Sequence, residues 1–351
     1  MSSSDRLPEA VAALIRSASF AEFATMSAAG VPIDTPLLSF PEDDLSRIGM
    51  ATGVSYPAKA ERVRRNPRVG LLYEGALPGE PAAVSIAGIA AVRDSDIQAN
   101  VTRYVAETAF ISDQSIPWAV KREAVWYWAR ILIDIVPVQI LWWDSAADLA
   151  GPPRRWNAPV GTVFPESDPA PPGSPTPAPQ WVRRPWRELA AEALSRNQSG
   201  HLSLVDAEGY PRPIRTTSLR GARDGFVLTI PEHAPGERTG LATLTFFGRE
   251  TFVGRVAPGA GGALELRVER VLPILPLVAD TNETWYPSPE IHAALYGRLT
   301  AELSRRGQAV PHIAEDLVLT PAAQRRQARD IALSRTSIEQ IAAASDATTA
   351  P

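Results

Sequence analysis

Apolar and polar positions alternate along much of this chain. Val84, Ile86, Gly88, Ala90 and Val92 alternate with Ser85, Ala87, Ile89 and Ala91, and Ile131, Ile133 and Ile135 alternate with Arg130, Leu132 and Asp134. A period of two predicts strands, here with one strongly apolar face and one mixed face. Leu264, Leu266 and Val268 repeat the pattern against Glu265, Arg267 and Glu269, and 251–256 forms another short candidate strand. Gly, Pro and Asp turns separate these runs, which predicts antiparallel β structure. The period then changes. Ser288-Pro289-Glu290 places a capping residue before a proline at the first helical position, and Ile291, Leu295, Leu299 and Leu303 form a stripe up to Gly307. Thr320-Pro321 opens a second helical stretch towards Ile341, and 345–351 reads as disordered.

Between Trp143 and Trp181, Gly151-Pro152-Pro153 is followed by Pro165, Pro169, Pro171, Pro172, Pro175, Pro177 and Pro179. Prolines this dense lack the donors for a ladder or a helix interior, so the segment reads as an extended linker. At 351 residues the chain exceeds one ordinary core. The expected organisation is a first domain over 1–144, a linker over 145–182, a second domain over 183–282 and a helical extension over 283–351. The halves also run in parallel as an internal duplication would. Gly30-Val31-Pro32 corresponds to Gly209-Tyr210-Pro211, 47–52 to 225–230, 68–73 to 240–246, and the strand glycine Gly88 to Gly254.

Composition narrows the function classes. Hydrophobic residues at 45% and charged residues at 21% suit a globular protein with a sizeable interior. The net charge of -4 offers no field for a polyanion, so no nucleic-acid partner is expected. With no cysteine, disulfides, thiolate nucleophiles and iron-sulfur clusters are excluded. The apolar stretch 11–15 is too short for an export signal and no run approaches a membrane span, so a cytoplasmic protein without a membrane partner is expected. His201, His233, His292 and His312 show no metal-ligand spacing, so no metal is expected. Glu42-Asp43-Asp44 reads as a solvated turn, the bases near Trp156 and Trp186 as docking points of the linker, and Trp126, Trp128, Trp142 and Trp143 mainly as core.

The informative stretch is Thr52-Gly53-Val54-Ser55-Tyr56-Pro57-Ala58-Lys59, continuing to Asn66-Pro67-Arg68-Val69. A strand ends near Thr52, Gly53 permits a turn, Ser55 is placed to cap a helix, and Asn66-Pro67 ends it. Free N–H groups and a partial positive charge at such a helix start form an anion site. The hydroxyls of Thr52 and Ser55 and the Lys59 ammonium add donors towards the same point, which makes a phosphate the simplest ligand. An ordinary surface helix with solvated cations accounts for the same residues.

This stretch resembles the pyridoxamine 5'-phosphate oxidase-like family of FMN-binding split β-barrels, in which a strand leads into a turn, a lysine and a short helix closed by Asn-Pro-Arg-Val. Lys59 stands eight residues before Pro67, as in that pattern. The resemblance continues through Gly30 to Pro32, 84–92 and 130–136, and covers about residues 20–143; the second half resembles the same fold more faintly. It implies a mainly β chain with some α: two tandem split β-barrels, the second degenerate, plus a C-terminal helical tail. It also implies that Thr52, Ser55 and Lys59 hold the phosphate of FMN, that Tyr56 lies beside the phosphate or ribityl chain, and that Thr35 and Ser39 pass behind the flavin. The oxidase that names the family has an arginine and a lysine where this chain has Thr35 and Ser39. It also has one residue fewer between the equivalents of Thr52 and Lys59, and a C-terminal arginine motif not evident here. The chain is therefore not read as a vitamin B6 enzyme.

The corresponding loop of the second half, 229–238, lacks the lysine and adds Glu232 and Glu237, so it is expected to hold no flavin phosphate. Arg215, on a strand expected over 213–219, would be a further phosphate contact from the second barrel. In the family the flavin lies between two barrels, so either a homodimer or a monomer with an internal pseudo-dimer is expected. The function implied is that of an FMN-dependent oxidoreductase acting on a small-molecule substrate, its catalytic side chains unassigned. The alternatives are a deazaflavin-dependent reductase, drawing on Arg62, Arg64 and Arg65, and a non-catalytic flavin- or haem-binding protein.

Overall fold

In the computed structural model the alternating runs assemble into two antiparallel sheets of seven strands each. The structure describes residues 7–112, 115–177, 184–196, 200–246, 249–272 and 282–349, without the side chains of 282–283 and 336–349. The end of the expected linker at 178–182, Arg183, the expected end of the second domain at 273–281, and 350–351 lie outside the described residues.

The first sheet contains β1 (Phe20–Met26), β2 (Pro32–Pro41), β3 (Ile48–Gly53), β4 (Arg68–Glu74), β5 (Ala83–Arg93), β6 (Arg130–Trp143) and β7 (Arg154–Asn157). Its order is β3-β2-β1-β4-β5-β6-β7, and β3 also pairs with β6, closing a six-stranded barrel. Phe23, Val69, Leu71, Tyr73, Ile86 and Ile133 fill it, all on the inward side of the two-residue period. Helices α1 (Glu9–Ser17), α2 (Ala58–Arg65) and α3 (Ile97–Thr108) flank the barrel, α3 starting where the Asp96 carboxylate accepts from the Ala99 amide at 2.9 Å.

After α4 (Trp186–Ser195), the second sheet contains β8 (His201–Val205), β9 (Pro211–Arg215), β10 (Ser218–Ala222), β11 (Gly225–Thr229), β12 (Gly240–Phe246), β13 (Glu250–Pro258) and β14 (Leu264–Val271). Its order, β10-β11-β14-β13-β12-β8-β9, is the first sheet's cycle opened at one point. The strand expected over 213–219 is broken there into β9 and β10. The Thr216 amide and hydroxyl both donate to the Gly200 carbonyl at 2.9 Å and turn the chain, and Thr217 then pairs with Thr229. With its β2 counterpart split, this sheet is a curled half-barrel. Both sheets bulge at the anticipated glycine, at Ala87/Gly88 and at Val253/Gly254.

The C-terminal helices return to the first barrel. In α5 (Pro289–Arg305) the Ser288 hydroxyl accepts from the Ile291 amide, and the predicted stripe buries Leu295, Leu299 and Leu303 in the first core. The last helix, α6 (Pro321–Thr349), continues through residues read from sequence as disordered. Alanines at 342–344 and 347 have high helix propensity and outweigh the polar residues among them. The proline-rich segment is docked too. It adds β7 to the edge of β6, and the Asp168 carboxylate accepts from the Asp94 and Ser95 amides at 2.8 and 2.9 Å.

The two sheets touch directly. A methyl group at Gly70 on β4 would lie 1.8 Å from the Pro211 carbonyl oxygen on β9, and the Thr243 hydroxyl donates to the Pro32 carbonyl at 2.9 Å. Val31 and Ile33 pack against Val253 across the same junction. All four tryptophans 126, 128, 142 and 143 are buried.

Candidate functional site

The strand β3 delivers Thr52 to a turn in which the Tyr56 amide donates to the Gly53 carbonyl at 3.0 Å and the Thr52 hydroxyl donates to the Tyr56 carbonyl at 3.3 Å. Helix α2 starts only at Ala58, with Pro57 in the capping position and no side-chain cap. Ser55 therefore does not cap the helix as its sequence position suggested. The closed turn at Gly53–Tyr56 and the rigid ring of Pro57 move the start beyond its reach. The Ser55 hydroxyl is instead buried with no hydrogen-bond partner among the described residues. A buried hydroxyl in that state costs about 1–3 kcal/mol unless something else pairs with it.

Lys59 stands in the first turn of α2, half-buried. Burial, then the neighbouring charges of Arg62 and Arg130, push its ammonium down to about 8. Arg62 is itself lowered to about 10 by burial and by Arg65, and its Nε donates to the Thr25 hydroxyl at 2.8 Å. Arg130, at the start of β6, lies over the rings of Tyr104 and Tyr127 at 4.8 and 4.6 Å, with its Nε unpartnered among the described residues. Three cations thus converge with no carboxylate among the charges that act on Lys59, an arrangement that an anion would stabilise.

Arg130 and Arg298 were not singled out from the sequence. Arg298, on the polar side of α5, donates from Nε and Nη2 to the Ser55 carbonyl at 3.1 and 2.8 Å and lies 4.9 Å over the Tyr56 ring. It fixes the turn from outside. Nothing local marks it, because its partner is 243 residues away.

The remaining sequence-derived residues go elsewhere. The Ser39 hydroxyl is 2.7 Å from the Tyr73 hydroxyl inside the barrel, and the Thr35 hydroxyl is buried without a partner among the described residues, on the Phe23 side of β2. Arg215 pairs with Glu74 at 3.2 Å and lines a cleft between the sheets to which neither the Ser55 turn nor Lys59 contributes. Arg64 is turned to Asp94 and to the Asp168 carbonyl.

A second cluster of ionisable groups lies buried between the sheets. His201 Nε2 is 2.9 Å from Glu74 and its Nδ1 is 3.2 Å from Glu22, the latter contact off the line of a straight hydrogen bond. Burial opposes a charge on His201, but its contacts with both carboxylates outweigh burial and raise it to about 10. Asp34, fully buried beside Glu22 and Ser203, is held well above the usual carboxylate range by burial and by the Glu22 charge.

No family model and no curated protein matches the sequence. Several solved structures resemble parts of it. General stress protein 26 from Bacillus anthracis is 19% identical, covering 43% of this chain and 97% of its own, with a TM-score of 0.29. A pyridoxamine 5'-phosphate oxidase-related, FMN-binding protein from Nostoc punctiforme is 17% identical over 37% of this chain and 78% of its own, with a TM-score of 0.28. An F420 reductase is 14% identical over 38% of this chain and 98% of its own, with a TM-score of 0.30. Other neighbours include a putative pyridoxamine 5'-phosphate oxidase from Lactobacillus delbrueckii and a protein of the pyridoxinephosphate oxidase family from Clostridium acetobutylicum. The chain itself has one closed barrel, one half-barrel of the same strand cycle, and C-terminal helices. No helix among the described residues is long and apolar enough to cross a membrane.

Proposed function

We propose that this chain is an FMN-dependent oxidoreductase whose cofactor phosphate is held at the Lys59 turn. One observation carries the reading. A half-buried lysine beside two arginines, four residues after a buried Ser55 hydroxyl that has no partner among the described residues, stands at the start of a helix whose first amides face no side-chain cap. Those residues fit a phosphate dianion. Lys59 supplies charge, Ser55 a hydroxyl donor and α2 its free N–H groups, while Arg298 keeps the turn in place. Thr52, with its hydroxyl on the Tyr56 carbonyl, shapes the turn. On this reading Tyr56 would lie along the ligand, whereas the hydroxyls of Thr35 and Ser39 face the barrel interior and are not assigned to it.

Bound FMN supplies two-electron chemistry towards a small organic substrate; the protein supplies position and a dry wall. The repeated strand cycle is what a tandem duplication would leave, and it supports the second sheet taking the part that a partner barrel takes in a homodimer. On this reading the chain is its own pair of barrels and works in the cytoplasm without nucleic acid.

A deazaflavin cofactor, with its longer anionic tail, would draw on Arg62, Arg64 and Arg65. Arg64 is already committed to Asp94 and Arg62 to Thr25, which favours the shorter FMN. The visible spectrum of the purified protein, with the released chromophore identified, tests the reading. Yellow FMN supports it, whereas a deazaflavin or a haem band selects one of the alternatives. Lys59→Ala should weaken FMN binding about ten-fold or more by titration; undiminished binding would remove Lys59 from the site.

A further inference from the structure

A cleft of about 880 Å³ opens between the sheets, on the side of the second copy's loop. That volume is in the range of sites that enclose small organic ligands, roughly 300–1,000 Å³. Its floor is the outer face of β4, β5 and β6, where Leu72, Ala83 and Trp143 pack together with Leu149. The Trp143 indole N–H donates to the Gly151 carbonyl at 3.0 Å, so its ring offers the cleft an apolar surface. The facing wall is the bend between β9 and β10, together with Pro231, Ala234 and Pro235.

The ionic groups at this cleft are already matched. Arg215 is paired with Glu74 at 3.2 Å and Glu80 with Arg329 at 2.8 Å. In the loop that corresponds to the Lys59 turn, Arg238 folds back onto the carbonyls of Pro231, Glu232 and Ala234. No helix starts there among the described residues. Among the described residues that line the cleft, a phosphate tail would meet no unpaired cation. One polar group is unmatched: Ser85, 2% exposed on β5, lines the cleft with its hydroxyl lacking any partner among the described residues. A ligand with a single hydrogen-bonding group would relieve it.

We infer that this cleft is a second binding site, for an uncharged ring-containing small molecule, with the Ser85 hydroxyl as its hydrogen-bonding contact. The inference is independent of flavin binding at Lys59. It is tested by titrating the full chain with N-phenyl-1-naphthylamine, an uncharged aromatic fluorophore with one N–H donor. Saturable enhancement at one equivalent is expected. Ala146→Trp and Ser218→Trp, at exposed positions on opposite rims, should each weaken binding about ten-fold by filling the cleft. Ser85→Ala should weaken it about five-fold, and Lys59→Ala should leave it unchanged. The inference is overturned if no saturable binding occurs, if both tryptophan variants or Ser85→Ala bind as the wild type does, or if FMN competes with the probe. Failure to retain FMN would leave these expectations intact.

Discussion

His201 and Asp34 place a titrating pair where the sheets meet, and their shifts have the same sign. A group raised on folding stabilises the fold fully below its unfolded value and loses that contribution as pH rises through its folded value. For His201 the loss runs from about 6.5 up to about 10. For Asp34 it begins near the ordinary carboxylate value of about 4 and extends upward with its raised folded value. Glu74 runs the other way. Burial opposes its charge, but His201 and Arg215 lower it, so its contribution is present above the usual carboxylate range and lost on acidification. Denaturant melts across pH should therefore show stability falling towards alkaline pH, and Asp34→Asn should flatten the part of that fall that begins just above the ordinary carboxylate range. An unchanged profile in that variant would show that Asp34 does not titrate there. Lys59 gives a separate readout. Its ammonium, lowered to about 8 by burial and by Arg62 and Arg130, is charged below that pH and neutral above it. FMN affinity should fall as pH rises past this value, and Lys59→Ala should lose that dependence.

At the scale of elements, the strands were readable because a two-residue period separates a strongly apolar barrel-facing side from a more mixed outer side, even in β3 and β5, where both sides are largely buried. The α5 stripe of Leu295, Leu299 and Leu303 was readable for the same reason at a different period. The Lys59 turn was visible through its breakers, Gly53, Pro57 and Asn66-Pro67, although Pro57 shifted the helix start away from Ser55. What did not show was anything made by distant partners: Arg298 on Ser55, Glu74 on Arg215, and the tight passage of β4 over β9. A pairwise contact across hundreds of residues leaves no local period. Two substitutions probe such contacts. Arg298→Ala removes two charge-assisted bonds to the Ser55 carbonyl, and a stability loss of about 1.5–3 kcal/mol together with weaker FMN retention is expected from thermal melts and titration. Gly70→Ala forces a side-chain carbon into the Pro211 carbonyl, and a loss of about 1–3 kcal/mol is expected in denaturant melts. A variant as stable as the parent would mean that the sheets slide apart without penalty.

Across the whole molecule, one chain makes a closed barrel and an open counterpart joined by a buried ionic cluster and by a docked linker. The junction should couple their unfolding. A single calorimetric transition is expected at neutral pH, separating into two near pH 10 as His201 loses its proton. Two transitions already at neutral pH would show that the cluster does not join them. Leu295, Leu299 and Leu303 are buried in the hydrophobic cluster of the N-terminal barrel and its flanking helices, yet the whole second sheet is translated before them. During synthesis, which proceeds from the N-terminus at a few residues per second or faster, that barrel must wait with part of its flanking apolar surface uncovered while the intervening chain emerges. The first unit begun is thus the last one finished, and its nascent form is the one expected to depend on chaperones.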